Sequence, residues 1–180
     1  MVLEILGRPQ RVLDLGTGDG VLLALVKSQW PDVEAVGLDF SAAMLDAARL
    51  SFAGDDTVTI VEHDLDQPLP DLGPFDTIVS SFAIHHLSDA RKRALYAEVF
   101  DALTPGGRFA NLEHVDSPTR ELHREFLAVL GATEDDEDPS NQLAPLDAQL
   151  AWFRELGFVD VDCYWKWREL ALLAGKKATA

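Results

Sequence analysis

The sequence predicts an α/β fold: one doubly wound domain whose mostly parallel, seven-stranded sheet ends in a C-terminal antiparallel β-hairpin. Short apolar runs alternate with helix-like stretches, which is the pattern of a parallel sheet covered by helices on both faces. Near the C-terminal end, two apolar runs follow each other across a short turn, as in a hairpin. The 180 residues can bury one core. No linker or repeat divides them, so residues 1–180 are expected to form a single domain.

The first three strands are predicted where short apolar runs are bounded by polar turns, at Arg11–Leu15, Glu34–Leu38 and Val58–Glu62. The third run is rich in β-branched residues, which favour strands. Helices are predicted between the strands, at about Asp19–Gln29 and at Ser41–Leu50. Trp30-Pro31 ends the first helix because proline cannot continue it, and Ser41 is a suitable N-cap for the second.

The centre of the chain continues this alternation after an irregular, proline-containing connection at 68–74. A strand is predicted at Phe75–Ser81, a helix at Ser88–Leu103, and a strand at about Arg108–Val115. Ser88 is a suitable N-cap for this helix. Pro105-Gly106-Gly107 is predicted to form the turn that precedes the last of these strands.

The remaining residues are predicted to form a helical insertion at about 116–145, a further helix and the hairpin. The helices are expected from Ser117 to about Leu130 and from Pro145 to Leu156, and Gly157 suits the C-cap of the second. The acidic run 134–138 reads as a solvated loop. The hairpin strands are predicted at Phe158–Tyr164 and Glu169–Ala174. At their turn, Trp165, Lys166 and Trp167 would line a pocket, contact a second subunit in a homodimer, or cap the core.

A glycine-rich loop, Gly16-Thr17-Gly18-Asp19-Gly20, joins the first predicted strand to the first helix. Glycines let the backbone turn tightly and approach a ligand, and free N–H groups at the helix start face that ligand. The dinucleotide fingerprint G-x-G-x-x-G requires glycine at position 21, where this chain has Val21. The loop therefore indicates a different ligand from a nicotinamide dinucleotide. The alternative is a structural turn that binds nothing.

Acidic residues accompany the ends of the predicted strands. Asp14 lies two residues before the first glycine of the loop. Asp39 ends the second strand, where a carboxylate can accept hydrogen bonds from both hydroxyls of a ribose. Asp64 follows the third strand and can accept an adenine amino group, while Leu65 can offer a backbone N–H and an apolar contact. The alternatives are a helix cap for Asp39 and an exposed loop acid for Asp64.

In this order, the motifs resemble those of class I (Rossmann-like) S-adenosylmethionine-dependent methyltransferases. Val12–Gly20 resembles motif I of that family, Phe75–Leu87 its strand-four motif, and Leu103–Phe109 its turn into strand five. The resemblance is strong over about residues 11–115, and the predicted hairpin agrees with the family's reversed last strand. It implies that Asp14 helps to organise the loop near the methionine amino group of the cofactor. The residues expected to bind S-adenosyl-L-methionine are Asp14, Gly16, Thr17, Gly18, Asp39, Phe40, Met44, Asp64, Leu65, Ser80 and Phe82.

The resemblance also implies methyl transfer to a small-molecule acceptor, which requires a base only when the acceptor must lose a proton. The candidates lie at strand ends: His85 and His86 after strand four, and Glu113 and His114 at the end of strand five. One of the three histidines is expected to take a proton from the acceptor or to hydrogen-bond it. The alternative is that the adjacent histidines divide between core and solvent. His123 lies on a predicted helix without an evident partner, and no metal site is predicted because no spacing such as H-x-x-x-H occurs.

Charge and composition restrict the partners. The net charge of -16 comes from 31 acidic and 15 basic residues and repels phosphate backbones, so nucleic acid is disfavoured. A transfer RNA methyltransferase is therefore the second hypothesis, and a non-catalytic S-adenosylmethionine-binding partner protein the third. No apolar run has membrane-spanning length, and residues 1–10 lack the apolar centre of a secretion signal. A cytoplasmic protein without membrane attachment is expected.

The region before motif I departs from the family pattern. Many small-molecule methyltransferases carry helices there that help to close the site, whereas about ten residues precede motif I in this chain. Either the lid is missing or trimmed, or the insertion at about 116–145 takes its place near the carboxyl ends of the strands. The prolines of residues 68–74 and the helix at 117–131 are expected to form walls of the acceptor pocket.

Overall fold

The computed structural model describes residues 2–179, and within them seven strands form one sheet. The strands are β1 (Arg11–Leu15), β2 (Glu34–Asp39), β3 (Val58–Glu62), β4 (Phe75–Ser81), β5 (Leu103–His114), β6 (Phe158–Trp167) and β7 (Leu170–Lys177). Their order across the sheet is β3-β2-β1-β4-β5-β7-β6. The first five strands are parallel, while β7 runs antiparallel between β5 and β6. The predicted mostly parallel sheet with a terminal antiparallel hairpin is confirmed.

Helices cover both faces of this sheet, as predicted for a doubly wound fold. They are α1 (Val2–Leu6), α2 (Val21–Gln29), α3 (Ala42–Ser51), α4 (Asp89–Ala102), α5 (Arg120–Leu130) and α6 (Leu146–Leu156), with 3-10 turns at Ile84–His86 and Glu134–Asp136. One apolar layer joins the sheet to α1 and α2, and the other joins it to α4 and α6. Among the helices of residues 2–179, none has the length and apolar character needed to cross a membrane.

Strand β1 lies at the centre of the parallel part and is buried from Val12 to Leu15. Successive side chains alternate between the two layers, so Val12 packs on the side of α2 and Leu13 on the side of α4. The strand order reverses between β1 and β4, because β2 and β3 lie on one side of β1 while β4 and β5 lie on the other. Open α/β sheets bind ligands at such a switch point, beyond the carboxyl ends of the strands.

The C-terminal hairpin is longer than predicted. Strand β6 continues through Trp165, Lys166 and Trp167, so their assignment to a turn is wrong. Bulges between Val159 and Asp162 and between Cys163 and Trp165 keep the strand paired with β7. The chain reverses after Trp167, where Arg168 adopts a φ of 53°. Trp165 packs against the α1–α2 layer, whereas Trp167 meets Phe126 of α5 at a ring-centroid distance of 6.0 Å.

Other boundaries also differ from the prediction. A short helix, α1, precedes β1, where none is predicted. Strand β5 begins at Leu103, because the predicted turn at Pro105-Gly106-Gly107 is instead an irregularity inside the strand, opposite Phe75 and Thr77. Helix α5 begins at Arg120, since Thr119 is its N-cap and its hydroxyl accepts the N–H of Leu122.

Candidate active site

The glycine-rich loop between β1 and α2 is tied to the end of β2. The N–H of Thr17 donates to the carbonyl of Leu38 at 2.8 Å. Gly16 and Gly18 both have positive φ, which favours glycine. A Cβ on Gly16 would lie 2.1 Å from Cβ of Ala83, so the loop also touches the segment after β4. A Cβ on Gly18 would meet no atom within 4 Å, which leaves that side of the loop open to a ligand.

Asp14 is buried at the end of β1 and carries an unused acceptor. Its Oδ2 accepts a hydrogen bond of 2.8 Å from the hydroxyl of Thr17, while its Oδ1 has no partner in the described chain. The pKa of Asp14 is raised to about 7, because the effects of burial and, to a smaller extent, of the charge of Asp39 outweigh the lowering by the Thr17 hydrogen bond. A buried acceptor without a partner is costly, so this oxygen is suited to a cationic or N–H group of a ligand.

Asp39 ends β2 and holds the glycine loop in place. Its Oδ2 accepts the N–H of Gly18 at 2.9 Å, and its Oδ1 accepts the N–H of Ser41 at 2.8 Å. Each carboxylate oxygen can accept a second hydrogen bond. The predicted contact with ribose hydroxyls is therefore compatible with these contacts. The helix-cap alternative is also realised in part, because the Ser41 N–H belongs to the N-cap of α3.

A cleft of about 550 Å³ opens beside the loop, and most of its lining was not identified from the sequence. Four of the residues predicted to bind the cofactor line it: Asp14, Gly16, Thr17 and Gly18. The other lining residues are mostly apolar side chains from α1, α2 and β5: Val2, Leu3, Asp19, Val21, Leu22, Leu25, Ser81 and Leu112. Residues 21–26 of α2 are all apolar, so the sequence alone does not show which of these side chains remain accessible to a ligand.

Other residues predicted to bind the cofactor do not line this cleft: Phe40, Met44, Asp64, Leu65 and Phe82. Phe40 is 73% exposed, and Met44 and Phe82 are also exposed. Phe82 has a φ of 51°, which is rare for an aromatic residue, and its N–H donates to the carbonyl of Leu112. Exposed Asp64 accepts the N–H of Asp66, while the side chain of Leu65 is buried. These exposed apolar side chains offer faces on which a flat heterocycle can stack.

Ser80 and Ser81 have different environments. The hydroxyl of Ser80 is buried and donates to the carbonyl of Leu15 at 2.8 Å, so it joins β4 to β1. Ser81 lines the cleft. Of the two serines, Ser80 was the one predicted to contact the cofactor, but its neighbour has the accessible position.

His85 forms a buried pair with Glu113, a fully buried residue of β5. The ring Nδ1 lies 2.7 Å from Oε1 of Glu113. The same oxygen accepts the backbone N–H of His114 at 2.8 Å. Because a carboxylate only accepts, Nδ1 of His85 carries the proton, and its Nε2 is left as the basic atom.

His86 lies against the ring of His85 at a centroid distance of 4.0 Å and is partly exposed. Its Nδ1 lies 2.9 Å from the hydroxyl of Ser140. Burial lowers the pKa of His86, and so does the charge of His85, while Asp138 and Ser140 act in the opposite direction. The two adjacent histidines thus divide between core and surface, as the alternative to a shared catalytic role proposes.

Hydrogen bonds hold the segment 138–143 against these two histidines. The amide side chain of Gln142 donates to the carbonyl of His86, and its backbone N–H donates to that of His85. The buried ammonium group of Lys92 donates to the carbonyls of Leu87 and Gln142. Burial lowers the pKa of Lys92, which Asp89 opposes. The position of this segment therefore depends on a charged group inside the protein.

His114 and His123 share Glu169, which is 1% exposed at the start of β7. Nε2 of His114 lies 2.9 Å from Oε2 of Glu169, and Nδ1 of His123 lies 2.9 Å from Oε1. His123 also approaches Glu137 through Nε2, at 3.2 Å. His123, for which the sequence offers no partner, thus has two. The contacts of Glu169 with His123 and His114 span 46 and 55 residues of sequence, so a local sequence pattern does not predict them.

The three predicted catalytic histidines therefore converge at the ends of β4 and β5. The rings of His85 and His114 have centroids 5.8 Å apart. Leu112 lines the cleft, and His114 follows two residues later on the same strand, so its side chain leaves the sheet on the same face. Across residues 2–179, the His, Cys, Asp and Glu side chains form no group of three arranged to hold a metal ion.

Comparisons with known proteins identify relatives of this chain. The sequence model of a family described as "Methyltransferase domain" matches residues 12–107. A demethylmenaquinone methyltransferase from Thermus thermophilus is 38% identical over 112 residues, which are 61% of this chain and 50% of the relative. A trans-aconitate 2-methyltransferase from Acidovorax sp. is 32% identical over 122 residues, covering 67% of this chain and 45% of the relative. This chain thus spans about half the length of these curated relatives.

A solved structure shows the same fold over almost the whole chain. An O-methyltransferase family protein from Burkholderia thailandensis has a TM-score of 0.78 with this protein at 21% identity. The match covers 98% of this chain and 53% of the other. At this level of identity, the likeness concerns the fold alone.

Proposed function

The chain belongs to the methyltransferase domain family, and on that premise we propose that it transfers a methyl group from S-adenosyl-L-methionine to a small-molecule acceptor. The observation that carries this proposal is the glycine loop with its buried acid. Asp14 lines a cleft of about 550 Å³ and has one carboxylate oxygen without a partner in the described chain. The ammonium group of a methionine moiety would satisfy that oxygen.

Residues along the switch point would hold the rest of the cofactor. Asp39 would accept the ribose hydroxyls, since its oxygens keep acceptor capacity beside Gly18 and Ser41. Phe40, Met44 and Phe82 would pack against the adenine, and Asp64 with the backbone of Leu65 would hydrogen-bond its edge. Gly16, Thr17, Gly18 and Ser80 would shape the loop and the strand end that support these contacts. Bound there, the cofactor supplies an electrophilic methyl group.

The acceptor is proposed to meet this methyl group near the ends of β4 and β5, where His85, His86 and His114 converge. His85 and His114 each have one ring nitrogen on a buried carboxylate, so each keeps a basic nitrogen. A hydroxyl acceptor would give its proton to one of them while the rest of the site holds it in line. Residues 116–145, which include α5, would form a wall of this pocket.

A largely apolar acceptor is proposed because the apolar lining of the cofactor cleft reaches Leu112, two residues before His114 on β5. Aliphatic side chains from α1, α2 and β5 surround the glycine loop, whereas the cleft has no arginine or lysine among its lining residues within 2–179. Asp19 adds a carboxylate to the cleft, and Asp14 adds negative charge above its pKa of about 7. A polycarboxylate acceptor would therefore be repelled, while a neutral apolar molecule with one hydroxyl group would be accepted. Of the two relatives, the demethylmenaquinone enzyme is named for the acceptor that agrees better with this lining.

Calorimetric titration tests the cofactor. We expect S-adenosylmethionine and S-adenosylhomocysteine to bind, and NAD to give no heat of binding. Asp39→Ala should weaken the binding free energy of S-adenosylhomocysteine by about 1.5–3 kcal/mol, the scale of a hydrogen bond to a charged group. Asp46→Ala, which removes an exposed carboxylate from α3, is the matched control and should bind as the unmodified protein does.

Three results would contradict parts of this proposal. Binding of NAD with no response to either sulfur compound would reject the cofactor. Binding of S-adenosylhomocysteine with no methyl transfer to phenolic, amine or carboxylate probes would support a non-catalytic binding protein. Methylation of a tricarboxylate in preference to 2-naphthol would reject the apolar acceptor while leaving the cofactor unaffected.

A further inference from the structure

We propose that Glu169 is a positioning residue that aligns His114 as the base, and that His123 stays protonated to neutralise it. This inference rests on the proposed function for the role of His114, but its structural part concerns the protein alone. It explains why a carboxylate at the start of β7 is buried between two histidines and a serine. It also gives a role to His123, which the proposed mechanism does not otherwise use.

The contacts of Glu169 determine where the protons lie. Its two oxygens receive Nε2 of His114, Nδ1 of His123 and the hydroxyl of Ser117. An ionised carboxylate accepts hydrogen bonds and donates none, so all three partners must be donors. His114 is therefore protonated on Nε2, which leaves the lone pair on its Nδ1.

His123 lies between two carboxylates, and a neutral His123 would lose its hydrogen bond to one of them. Its Nδ1 is 2.9 Å from Glu169, and its Nε2 is 3.2 Å from Glu137. A neutral imidazole has one N–H, whereas two carboxylate partners require two. Burial lowers the pKa of His123, but the hydrogen bonds and charges of Glu169 and Glu137 outweigh burial and raise it above the ordinary value.

The groups around His114 come from several elements. The backbone N–H of His114 donates to Glu113, the ring of His85 lies 5.8 Å away, and Phe126 of α5 covers the ring at 5.4 Å. Glu169 is the acid that its side chain contacts. With His123 protonated, the pair of Glu169 and His123 is close to neutral, and Glu169 orients the ring of His114 through its contact with Nε2. A base held in this way can release its proton after each turnover.

The proposed step conserves atoms and charge. The O–H bond of the acceptor would break and an N–H bond would form at Nδ1 of His114. The oxygen would bond to the methyl carbon as the S–CH3 bond breaks, and the electron pair of that bond would stay on sulfur, so that the sulfonium becomes a neutral thioether. His114 then has two N–H bonds and one positive charge, and Glu169 stays ionised. Loss of the Nδ1 proton to water restores the starting state.

Nitrogen NMR of ¹⁵N-histidine-labelled protein tests the proton positions without any methyl transfer. At pH 7.5, we expect His114 to be neutral with its proton on Nε2, and His123 to have both nitrogens protonated. His123 should titrate above the ordinary histidine value of about 6.5. A Glu169→Gln variant should lose the His123 imidazolium at this pH. A neutral His123 in the unmodified protein, or His114 with its proton on Nδ1, would overturn the inference.

The pH dependence of turnover distinguishes charge compensation from a purely structural role. In His123→Gln, Glu169 is no longer neutralised, so protonated His114 becomes more stable. The acid limb of the kcat profile should then move to higher pH by about half to one unit. Glu169→Gln should lower kcat at least about tenfold while KM and the affinity for S-adenosylhomocysteine change little. Glu125→Gln, an exposed carboxylate on α5, is the control and should leave the profile unchanged.

An unchanged acid limb in His123→Gln would reject the role of His123, even if turnover fell. Failure of S-adenosylhomocysteine to bind the unmodified protein would instead reject the proposed function. In that case, the NMR result would still decide whether Glu169 holds the two histidines in these protonation states.

Discussion

At the residue scale, Asp14 shows how a binding site can oppose stability. Its carboxyl is buried, and one of its oxygens has no hydrogen-bond partner in the described chain. Burial, as the largest cause, raises its pKa to about 7. Because the folded state holds this proton more tightly than the unfolded state does, the contribution of Asp14 to stability falls as the pH rises from about 4 towards 7. A cationic ligand would reverse this penalty.

This predicts that S-adenosylhomocysteine binds more weakly in acid. Below about pH 7 Asp14 is protonated and offers no negative charge to the amino group of the ligand. The dissociation constant should therefore rise by up to about tenfold for each pH unit below 7 and level off above it. Calorimetry between pH 5.5 and 8.5 measures this. An affinity that is constant across the range would contradict the role of Asp14.

Asp14→Asn is the control for that titration. It should bind S-adenosylhomocysteine weakly and without this pH dependence. It should also unfold at a higher temperature than the unmodified protein at pH 8, because the ionisation penalty of up to about 4 kcal/mol is gone. At about pH 4, where the carboxyl is mostly protonated in the folded state and about half protonated in the unfolded state, the two proteins should differ little.

At the element scale, the strands were more predictable than the ends of the helices. The β-branched run of Val58–Glu62 and the apolar run of Phe75–Ser81 have the bounds that the sequence predicts, because local composition determines both. Helix α1 has five residues and is too short to show a helical periodicity. The added length of β6 depends on bulges and on pairing with β7, which local sequence does not encode.

The candidate site likewise contains residues that local sequence predicts and residues that only the tertiary structure brings together. The glycine loop, Asp14 and Asp39 were identified because their contacts are local or follow a recurrent spacing. Glu169 was missed because its two histidine partners come from β5 and α5, and only the antiparallel placement of β7 beside β5 brings them together. The apolar cleft lining was missed because exposure depends on what packs above each side chain.

Helix α5 carries His123 and Phe126, so its N-cap should affect both stability and the site. The hydroxyl of Thr119 accepts the N–H of Leu122. Thr119→Ala should reduce the free energy of unfolding by about 1 kcal/mol and speed amide exchange in the first turn of α5. Denaturant titration and hydrogen exchange measure these effects. Ser28→Ala, which removes an exposed helix hydroxyl, is the control, and an equal loss in both variants would contradict the capping role.

At the scale of the whole molecule, charge sets the class of partner. The 31 acidic residues outnumber the 15 basic ones, for a net charge of -16. Several arginines are also bound to acids, as Arg120 is to Glu134 and Arg91 is to Glu98. A surface of this kind repels a phosphate backbone at every distance below the screening length.

We therefore expect no measurable binding to total transfer RNA in a gel-shift titration at near-physiological salt. Added salt weakens this repulsion. A shifted RNA band that is lost as salt increases is therefore not expected. Tight binding that disappears steeply as salt is added would contradict this prediction and revive the RNA methyltransferase hypothesis.

The contact between Gly16 and Ala83 has a consequence for the descent of this protein. Any side chain on residue 16 would enter the space of the Ala83 methyl group, and any larger residue at 83 would press on the glycine loop. Substitutions at positions 16 and 83 therefore depend on each other, although the two residues are far apart in the sequence. A lineage that enlarged residue 83 would first have to move the glycine loop.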